Sequence, residues 1–352
     1  MKVIYINYVD FNNVSSGSSV RPKKMYEAFR SIGYEVTMLT GLQNKFKERW
    51  INTWRFFKDI RNKEYDICYV ESPSGPIFNF CDHLILFYIN KVKKIPIGFF
   101  YRDAYWKFGQ WYKLPKFKRI IINLMHRFDL FVLKRVCDKI YFPSKTMADL
   151  CNLKNKSVFP PGGTVLNEPV KQFNQYNNCI YVGGVSERYG TEILLEAFRI
   201  ANSKLEQQVT LTLICRSEID IMESYKQYDW LKVYTGISGE ENLKSFYEKA
   251  DMAVIPFKRD VYMDFAIPIK LFEYMSNNIP IVSTDCIELS KFIKEYEIGI
   301  ITKDNAESLA DGIIEFYEME LDKKNKIHEN LNNAIQKNSW ENRARQLEEL
   351  VK

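Results

Sequence analysis

Short runs of β-branched and aromatic residues alternate along this chain with amphipathic segments of helical length. This alternation is typical of parallel α/β sheets, because parallel strands must be joined by a crossover that is usually a helix. There are two series of six runs: Lys2–Val9, Glu35–Thr40, Ile67–Glu71, Pro96–Arg102, Lys139–Pro143 and Ser157–Phe159, then Cys179–Gly183, Thr210–Cys215, Lys232–Thr235, Met252–Pro256, Pro280–Thr284 and Gly299–Ile301. We therefore expect an α/β protein with two Rossmann-like, doubly wound domains that face a cleft.

The two series are separated by Pro160-Pro161-Gly162-Gly163 and a polar stretch that continues to Asn178. Proline and glycine interrupt regular structure, so this segment is the best candidate for a linker between domains. In doubly wound sheets, ligands collect at the carboxyl ends of the strands, where loops meet helix N-termini. Functional residues are therefore expected directly after the predicted strands.

Cysteine usage, the N-terminus and the hydropathy pattern exclude several classes of protein. The seven cysteines form no CxxC pair and no cluster with histidine, which argues against a zinc site or a disulfide framework and favours reduced thiols in a cytoplasm. The segment after Met1 lacks the pattern of an export signal. The longest apolar stretches, Ile77–Ile89 and Ile120–Leu133, contain charged residues, so no membrane-spanning helix is expected.

The charge of the chain is divided unequally between its two parts. The net charge is +6, but residues 1–160 carry +15 and the remainder carries −9. Much of the positive excess lies in Lys91–Lys145, where basic residues alternate with Phe99, Phe100, Tyr101, Tyr105, Trp106, Phe108, Trp111, Tyr112 and Phe117. Cations with aromatic rings suit an anionic membrane surface, whereas no nucleic-acid recognition motif accompanies them. A merely solubilising surface is the alternative.

A serine- and glycine-rich loop, Asn12–Pro22, follows the first predicted strand. It holds one glycine where a dinucleotide fingerprint needs three, which disfavours a nicotinamide enzyme. Ser16, Gly17 and Ser18 nevertheless offer N–H and hydroxyl donors to a phosphate or to sugar hydroxyls. The alternative is a plain cap or turn.

The second domain opens with a strand that leads through Gly183, Gly184 and Arg188 into a helix at Thr191–Asn202. Glycines allow the backbone to approach a ligand, a helix N-terminus favours an anion, and a guanidinium matches phosphate oxygens. The segment therefore predicts a diphosphate site, with a tight turn and a solvated arginine as the alternative.

The most specific segment is Phe265–Ser283, in which a helix is predicted to begin near Pro268. Lys270 would lie in its first turn and Glu273 about one turn later. A carboxylate at that position can accept two hydrogen bonds from a ribose diol, while the lysine and the first-turn N–H groups face a diphosphate. An intrahelical pair on a solvated face is the alternative.

These segments together resemble the GT-B glycosyltransferases, and among them family 4 of nucleotide-sugar enzymes. The resemblance is carried by PIKLFEYMSNNIPIVST at 268–284, YVGGVSERYGTEILLEAF at 181–198, KADMAVIPF at 249–257 and SWENRARQLEEL at 339–350. It covers essentially the whole chain and is more specific in the second domain. It implies an acceptor-binding domain at 1–165, a nucleotide-sugar-binding domain at 166–335, and a terminal helix at 336–352 that packs back on the first domain.

The resemblance also implies the site residues. Its donor set here is Gly183, Gly184, Arg188, Pro268, Ile269, Lys270 and Glu273, with Glu273 as the ribose ligand. The family often has a second glutamate where this chain has Phe265, preceded by Asp264. Where the family usually has a lysine before the turn glycine, this chain has Tyr189, and Arg188 could take the role of that lysine.

In the first domain, the family commonly has a histidine or an Arg-Asp pair where this chain has Arg102-Asp103. Asp103 would act as a base on the acceptor if the reaction inverts, or orient it if the reaction retains. An Arg102–Asp103 pairing or a loop cap is the alternative. His83 and His126 lie in apolar helical patterns, which favours core packing over catalysis. Glu71–Gly75 is expected to line the cleft or to form a turn.

The expected function is the transfer of a sugar from a nucleotide-sugar to a saccharide acceptor, with retention. If the acceptor is lipid-linked, the basic aromatic face would place the protein at the membrane. Asp103, Arg188 and Lys270 are the predicted catalytic residues, and no metal or other cofactor is implied. The predicted location is the cytoplasm, at the inner face of the cell membrane for a lipid-linked acceptor. Two rivals stay open: a sugar-nucleotide epimerase on this architecture, and a non-catalytic partner subunit that binds a nucleotide or a membrane.

Overall fold

The computed structural model of the chain describes residues 1–11, 17–108, 115–166, 177–217 and 219–351. It divides into unit 1, Met1–Pro161 with Trp340–Lys352, and unit 2, Gly162–Ser339. These boundaries lie four residues from the predicted positions at 165 and 335. Gly163 and Ser339 form a parallel bridge, which keeps both ends of unit 2 together.

Unit 1 contains a parallel sheet of six strands, and its order is β2-β1-β3-β4-β5-β6. The strands are β1 Lys2–Ile6, β2 Glu35–Leu39, β3 Ile67–Glu71, β4 Ile97–Phe100, β5 Lys139–Phe142 and β6 Lys156–Val158. The helices are α1 Gly17–Ser31, α2 Phe46–Ile60, α3 Phe80–Phe87 with a π turn at Tyr88–Val92, a 3₁₀ turn at Tyr105–Lys107, α4 Lys116–Val136 and α5 Lys145–Asp149.

The strand order of unit 1 determines which face each helix covers. The chain moves one way from β1 to β2 and the opposite way from β2 through β5. Because such crossovers are right-handed, α1 lies on one face of the sheet and α2, α3 and α4 lie on the other.

The terminal helix, α13 Trp340–Gln346, and the 3₁₀ turn Leu347–Leu350 belong to unit 1. Trp340 and Leu347 pack in the same buried cluster as Tyr5, Phe29 and Tyr69. α13 also contacts α1. The end of the chain therefore completes the α1 face of the unit 1 sheet.

Unit 2 contains a second parallel sheet of six strands, and its order is β12-β11-β10-β7-β8-β9. The strands are β7 Asn178–Val182, β8 Thr210–Cys215, β9 Leu231–Thr235, β10 Met252–Ile255, β11 Ile281–Thr284 and β12 Gly299–Thr302. The helices are α6 Thr191–Lys204, α7 Glu240–Lys249, α8 Val261–Phe265, α9 Ile269–Ser276, α10 Ile287–Tyr296, α11 Ala306–Glu318 and α12 Leu321–Lys337, with a 3₁₀ turn at Asp220–Tyr225.

The predicted α/β class with two doubly wound parallel sheets is confirmed. In unit 2 the chain moves outward from β7 to β9 and then returns to β10 on the other side of β7. This reversal is the topological switch point, where ligands of doubly wound sheets bind. The loops after β7 and β10 are therefore where a site in unit 2 is expected.

Of the seven described aromatic residues singled out in Lys91–Lys145, three are buried, three are half-buried and one is exposed. Phe99 and Phe100 are buried at the end of β4, Tyr101 is buried directly after it, and Trp106 is half-buried. Of the set, Phe117 is strongly exposed, at 74%. Trp111 and Tyr112 lie outside the described residues. None of the described helices is both long and apolar enough to cross a membrane.

Candidate functional site

The turn after β7 lies at the switch point of unit 2 and depends on two glycines. Gly183 follows the strand with φ +154°, and Gly190 precedes α6 with φ +69°. A side chain at Gly190 would overlap the carbonyl oxygen of Pro256, just after β10. The first turn of α6 is thereby held against the end of β10, and its N-terminus points at the switch point.

Lys270 lies in the first turn of α9, as predicted, and its ammonium group is sealed from solvent. Nζ is 4.1 Å from the centre of the Tyr181 ring and 5.1 Å from that of Phe257. It has no hydrogen-bond partner among the described residues. A Cβ at Gly183 would approach Nζ to 2.5 Å, so the glycine leaves the space that the lysine uses.

The environment of Lys270 changes its protonation. Burial lowers the pKa of the ammonium group to about 7, against the opposing effect of the nearby Glu273 carboxylate. A buried cation without a hydrogen-bond partner is costly, because it has lost water and gained no anion in return. This position is therefore suited to an anionic ligand, which would supply the missing partner.

Glu273 lies one turn after Lys270, also as predicted. It accepts a hydrogen bond of 3.4 Å at Oε2 from the hydroxyl of Tyr247 on α7. Burial and the charge of Glu273 together raise the pKa of Tyr247, which stays protonated as a donor. The tyrosine thus fixes one carboxylate oxygen of Glu273.

Replacing Tyr247 with phenylalanine tests this positioning role. The variant loses the donor while keeping the ring that packs near Tyr274, with ring centroids 6.1 Å apart. We expect nucleotide affinity to fall about fivefold, because a typical hydrogen bond contributes about 1 kcal/mol. Thermal shift with a nucleotide titration measures this, and Tyr228→Phe in the same unit is the control. Unchanged affinity would show that Tyr247 does not position Glu273.

Arg188 is placed differently from Lys270. Its guanidinium carbon lies 4.0 Å from the centre of the Tyr262 ring, and Nε is 3.9 Å from Oδ2 of Asp260. Asp260 itself caps α8 by accepting hydrogen bonds from the N–H groups of Tyr262 and Met263. Arg188 therefore lies beside α8, whereas Lys270 lies near the rings of Tyr181 and Phe257.

Where the family often has a second glutamate, Phe265 is part of the core. It is buried and packs edge-on against Tyr262, with ring centroids 4.8 Å apart. The preceding Asp264 forms a double hydrogen bond with Arg259, at 3.0 and 3.2 Å, and accepts another from the N–H of Ile287. Neither residue replaces that glutamate, because one is apolar and the other is occupied with internal partners.

In unit 1, the carboxyl ends of β3 and β4 carry a buried charged cluster. Glu71 accepts hydrogen bonds at Oε1 from Arg21 Nε at 2.9 Å and from the Tyr69 hydroxyl at 2.7 Å. Arg102 lies 3.7 Å from the other oxygen of Glu71, and its N–H donates to Ser72 Oγ. Arg102 therefore faces the buried carboxylate of Glu71.

Asp103 lines a small pocket with Ser72–Gly75, Tyr101, His126 and Asp129. Its Oδ1 accepts a hydrogen bond from the N–H of Tyr105, so it also caps the turn that follows. The His126 ring stacks on Trp106 at 5.0 Å, and burial lowers its pKa to about 4, which leaves it neutral at pH 7. The pocket thus contains carboxylates and a neutral imidazole.

His83 is also buried and lies close to this pocket. Its Nε2 is 2.8 Å from Oδ1 of Asp129, whose other oxygen accepts a hydrogen bond from the N–H of Ile77. The pair ties α3 to α4.

Of the predicted loop residues, Ser16 lies outside the described residues, and Gly17 and Ser18 form the first turn of α1.

Sequence reasoning missed the aromatic surroundings of the unit 2 site. Tyr181, Tyr247 and Tyr262 contact the predicted residues but come from three different elements. Tyr181 reads as one more core residue of β7, and it is buried. Of the three tyrosines, only Tyr247 could have been singled out from the sequence, because α7 has few other apolar residues that could anchor the helix.

The comparisons with known proteins agree on family and fold. The family model "Glycosyl transferases group 1" matches residues 166–337. TuaH of Bacillus subtilis, a protein named for teichuronic acid biosynthesis, is 27% identical over 73 residues, and the match spans 21% of this chain and 18% of that relative. The chain thus matches less than a fifth of the length of this curated relative.

Solved structures match over almost the entire chain. Sucrose-phosphate synthase from Thermosynechococcus elongatus has a TM-score of 0.68 at 16% identity, over 99% of this chain and 98% of that one. Anabaena HepE in complex with UDP has 0.64 at 13%, over 99% of both chains. WaaG, a lipopolysaccharide glycosyltransferase, has 0.64 at 12%, over 99% of both. The resemblance stated from the motifs is confirmed to this extent: the chain has the GT-B fold, and its residues 166–337 match the model of the glycosyl transferases group 1 family.

Proposed function

We propose that unit 2 binds a nucleotide-sugar and that the protein transfers its sugar to a saccharide acceptor. The observation that carries the proposal is the Nζ of Lys270, sealed from solvent without a hydrogen-bond partner at the switch point of the sheet. Diphosphate oxygens would provide that partner, and the N–H groups at the start of α9 would add donors. Glu273 would accept the two ribose hydroxyls.

In the proposed reaction, the bond between the sugar carbon and the diphosphate breaks while a bond to the acceptor oxygen forms. Negative charge grows on the leaving diphosphate, and Lys270 in its protonated form stabilises it. With retention, the acceptor proton passes to the leaving phosphate. Arg188 is proposed to approach the diphosphate from its place beside α8, and this scheme uses no metal ion.

The acceptor side is proposed to be the pocket of unit 1 that Asp103 lines, with Arg102 next to it in the chain. Asp103 would orient the acceptor hydroxyl, or take its proton if the reaction inverts. The charge of +15 on residues 1–160 supports an anionic or membrane-bound acceptor, and a lipid-linked saccharide has both properties. We place such a reaction in polysaccharide or glycoconjugate synthesis at the cytoplasmic face of the membrane.

A turnover experiment tests this function. The protein is incubated with a panel of sugar nucleotides and a membrane extract, with and without a chelator, and released nucleotide is measured by chromatography. We expect one donor to be consumed with or without the chelator. Glu273→Ala should lower kcat/KM at least about 100-fold, because charged hydrogen bonds to two hydroxyls are lost.

The matched control is Glu315→Ala, which removes an exposed carboxylate from α11 and should leave turnover unchanged. Conversion of a sugar nucleotide to its epimer would favour the epimerase instead. Nucleotide binding without consumption of any donor would contradict the proposal and favour a non-catalytic partner subunit.

A further inference from the structure

Three neighbouring helices of unit 1 expose a large set of apolar side chains. α2, α3 and α4 cover one face of the sheet and contact one another in that order. The described chain exposes twenty-two large apolar residues, and thirteen of them lie on these helices: Phe46, Trp50, Ile51, Trp54, Phe80, Leu84, Phe87, Phe117, Ile120, Ile121, Leu124, Phe128 and Phe131. Exposed apolar surface of this extent marks an interaction site.

The exposed residues follow helical spacing on the outer side of each helix. On α3, Phe80, Leu84 and Phe87 point outward, while Ile85 and Leu86 are buried. On α4 the outward residues recur every three or four positions from Phe117 to Phe131. Each helix therefore has an inner face that packs in unit 1 and an outer face that exposes apolar side chains.

Aromatic contacts connect these outward rows. The His83 ring lies 6.1 Å from that of Phe80 and 5.2 Å from that of Phe128, which joins α3 to α4. Phe57 of α2 packs against both Trp54 and Tyr88, the residue after α3, at 5.5 and 4.8 Å. The three helices thus present one continuous surface, which we call the α2–α4 face.

The charges on this face are mostly positive. The acids of α3 and α4, Asp82 and Asp129, are buried beside Arg49 and His83. The charged side chains that α4 exposes are therefore all cations: Lys116, Lys118, Arg127, Lys134 and Arg135. α2 exposes Lys47, Arg55 and Lys58 against the acids Glu48 and Asp59.

Cations and rings also lie side by side on this face. Lys58 Nζ is 5.3 Å from the ring of Trp54, and the Arg135 guanidinium is 3.5 Å from the ring of Phe131. Tryptophan and phenylalanine flanked by lysine and arginine are the residues that partition to the headgroup region of a bilayer.

We propose that the α2–α4 face binds the surface of an anionic phospholipid bilayer, with its rings at headgroup depth and its cations on lipid phosphates. A second copy of the chain fits poorly, because a two-fold interface would bring this net positive face against the same face of the copy. The inference rests on the proposed function in one respect only, namely that membrane binding would bring a lipid-linked acceptor to the protein.

Vesicle flotation at physiological salt tests the proposal. The protein is mixed with vesicles of phosphatidylcholine and phosphatidylglycerol, and in parallel with vesicles of phosphatidylcholine alone. We expect binding to the anionic vesicles that weakens as salt is added, and much weaker binding to the neutral ones. Lipids brominated along the acyl chain should quench the fluorescence of Trp50 and Trp54.

Two triple variants separate the apolar and electrostatic contributions. Trp50→Ser with Leu84→Ser and Leu124→Ser should reduce vesicle affinity on the order of 100-fold, since three apolar side chains no longer partition. Lys118→Gln with Arg127→Gln and Lys134→Gln should reduce it on the order of 100-fold and flatten the salt dependence.

The matched control is Val158→Ser with Leu321→Ser and Val351→Ser, three exposed apolar residues outside this face, and it should bind like the wild type. Absence of binding to anionic vesicles overturns the proposal, as does wild-type binding by both test variants. Dimerisation that is lost with the apolar triple would show that a second copy covers the face, and would also overturn it.

Nucleotide stabilisation measured on the same samples distinguishes this proposal from the proposed function. Stabilisation by a nucleotide without vesicle binding overturns the α2–α4 face alone. Vesicle binding without nucleotide stabilisation overturns the donor site alone.

Discussion

Lys270→Met is expected to raise the stability of the protein at pH 7 and to weaken nucleotide binding about 100-fold. The wild-type side chain places Nζ among the rings of Tyr181 and Phe257 with no hydrogen-bond partner among the described residues. Methionine fills similar volume without a charge to desolvate, and such replacements of buried charges often stabilise by about 2 kcal/mol. The lost contact to phosphate is worth about 2–3 kcal/mol of binding.

The pH dependence of this effect has a definite sign. The pKa of Lys270 is lowered from 10.5 to about 7 in the folded protein. Between these two values the unfolded chain binds the extra proton, so the contribution of Lys270 to stability rises with pH. The gain in stability from Lys270→Met should therefore be greatest below about pH 7 and should disappear towards pH 10.5.

Nucleotide binding should show the opposite trend. Above about pH 7 Lys270 is mostly neutral, so it must take up a proton when the nucleotide binds. Wild-type affinity should then fall up to about tenfold per pH unit. Calorimetric unfolding and nucleotide titration across pH measure both trends, with the exposed Lys204→Met as the control. An unstabilised variant that binds nucleotide normally would contradict this account.

Gly190→Ala is expected to destabilise unit 2 by about 4 kcal/mol, which lowers its unfolding temperature by about 10 °C. Alanine is disfavoured at φ +69°, and its Cβ would overlap the carbonyl oxygen of Pro256. The turn cannot relax without moving α6 away from the end of β10. Nucleotide binding should be lost with it.

Gly236→Ala is a matched control for this substitution. Gly236 has φ +73°, close to the φ of Gly190, but no atom lies within 4 Å of its missing Cβ. It should cost only about 1 kcal/mol, the penalty of the left-handed conformation. Equal effects of the two substitutions would show that contact with Pro256 is unimportant. Scanning calorimetry provides the measurement.

The sequence predicts the fold well because strand and helix patterns are local. All twelve predicted strands are present, and α9 begins at Ile269, directly after the proline expected to start it. Lys270 and Glu273 are correctly placed in successive turns, since their spacing within one helix determines this. The turn of Gly183 and Gly190 follows from the same local reasoning.

Contacts between distant segments could not be predicted in this way. The Tyr247–Glu273 bond joins α7 to α9, and the Arg21–Glu71 pair joins α1 to β3. The position of Arg188 beside Asp260 depends on how α8 packs, which no local pattern determines. The same is true of surface exposure: the aromatic residues of β4 are buried, whereas those of α2, α3 and α4 are exposed.

Lys270 and Glu273 are proposed to form the donor site for a nucleotide-sugar. The most direct test of this site is thermal stabilisation by UDP, GDP, dTDP, CMP and ADP, each in high excess, in the wild type, Glu273→Ala and Glu315→Ala. At about 100 times its dissociation constant, a ligand adds about 2.7 kcal/mol of stability. We predict that one nucleotide stabilises the wild type and Glu315→Ala by this amount and has no effect on Glu273→Ala. Stabilisation by none of the five, or equal stabilisation of Glu273→Ala, would contradict the account.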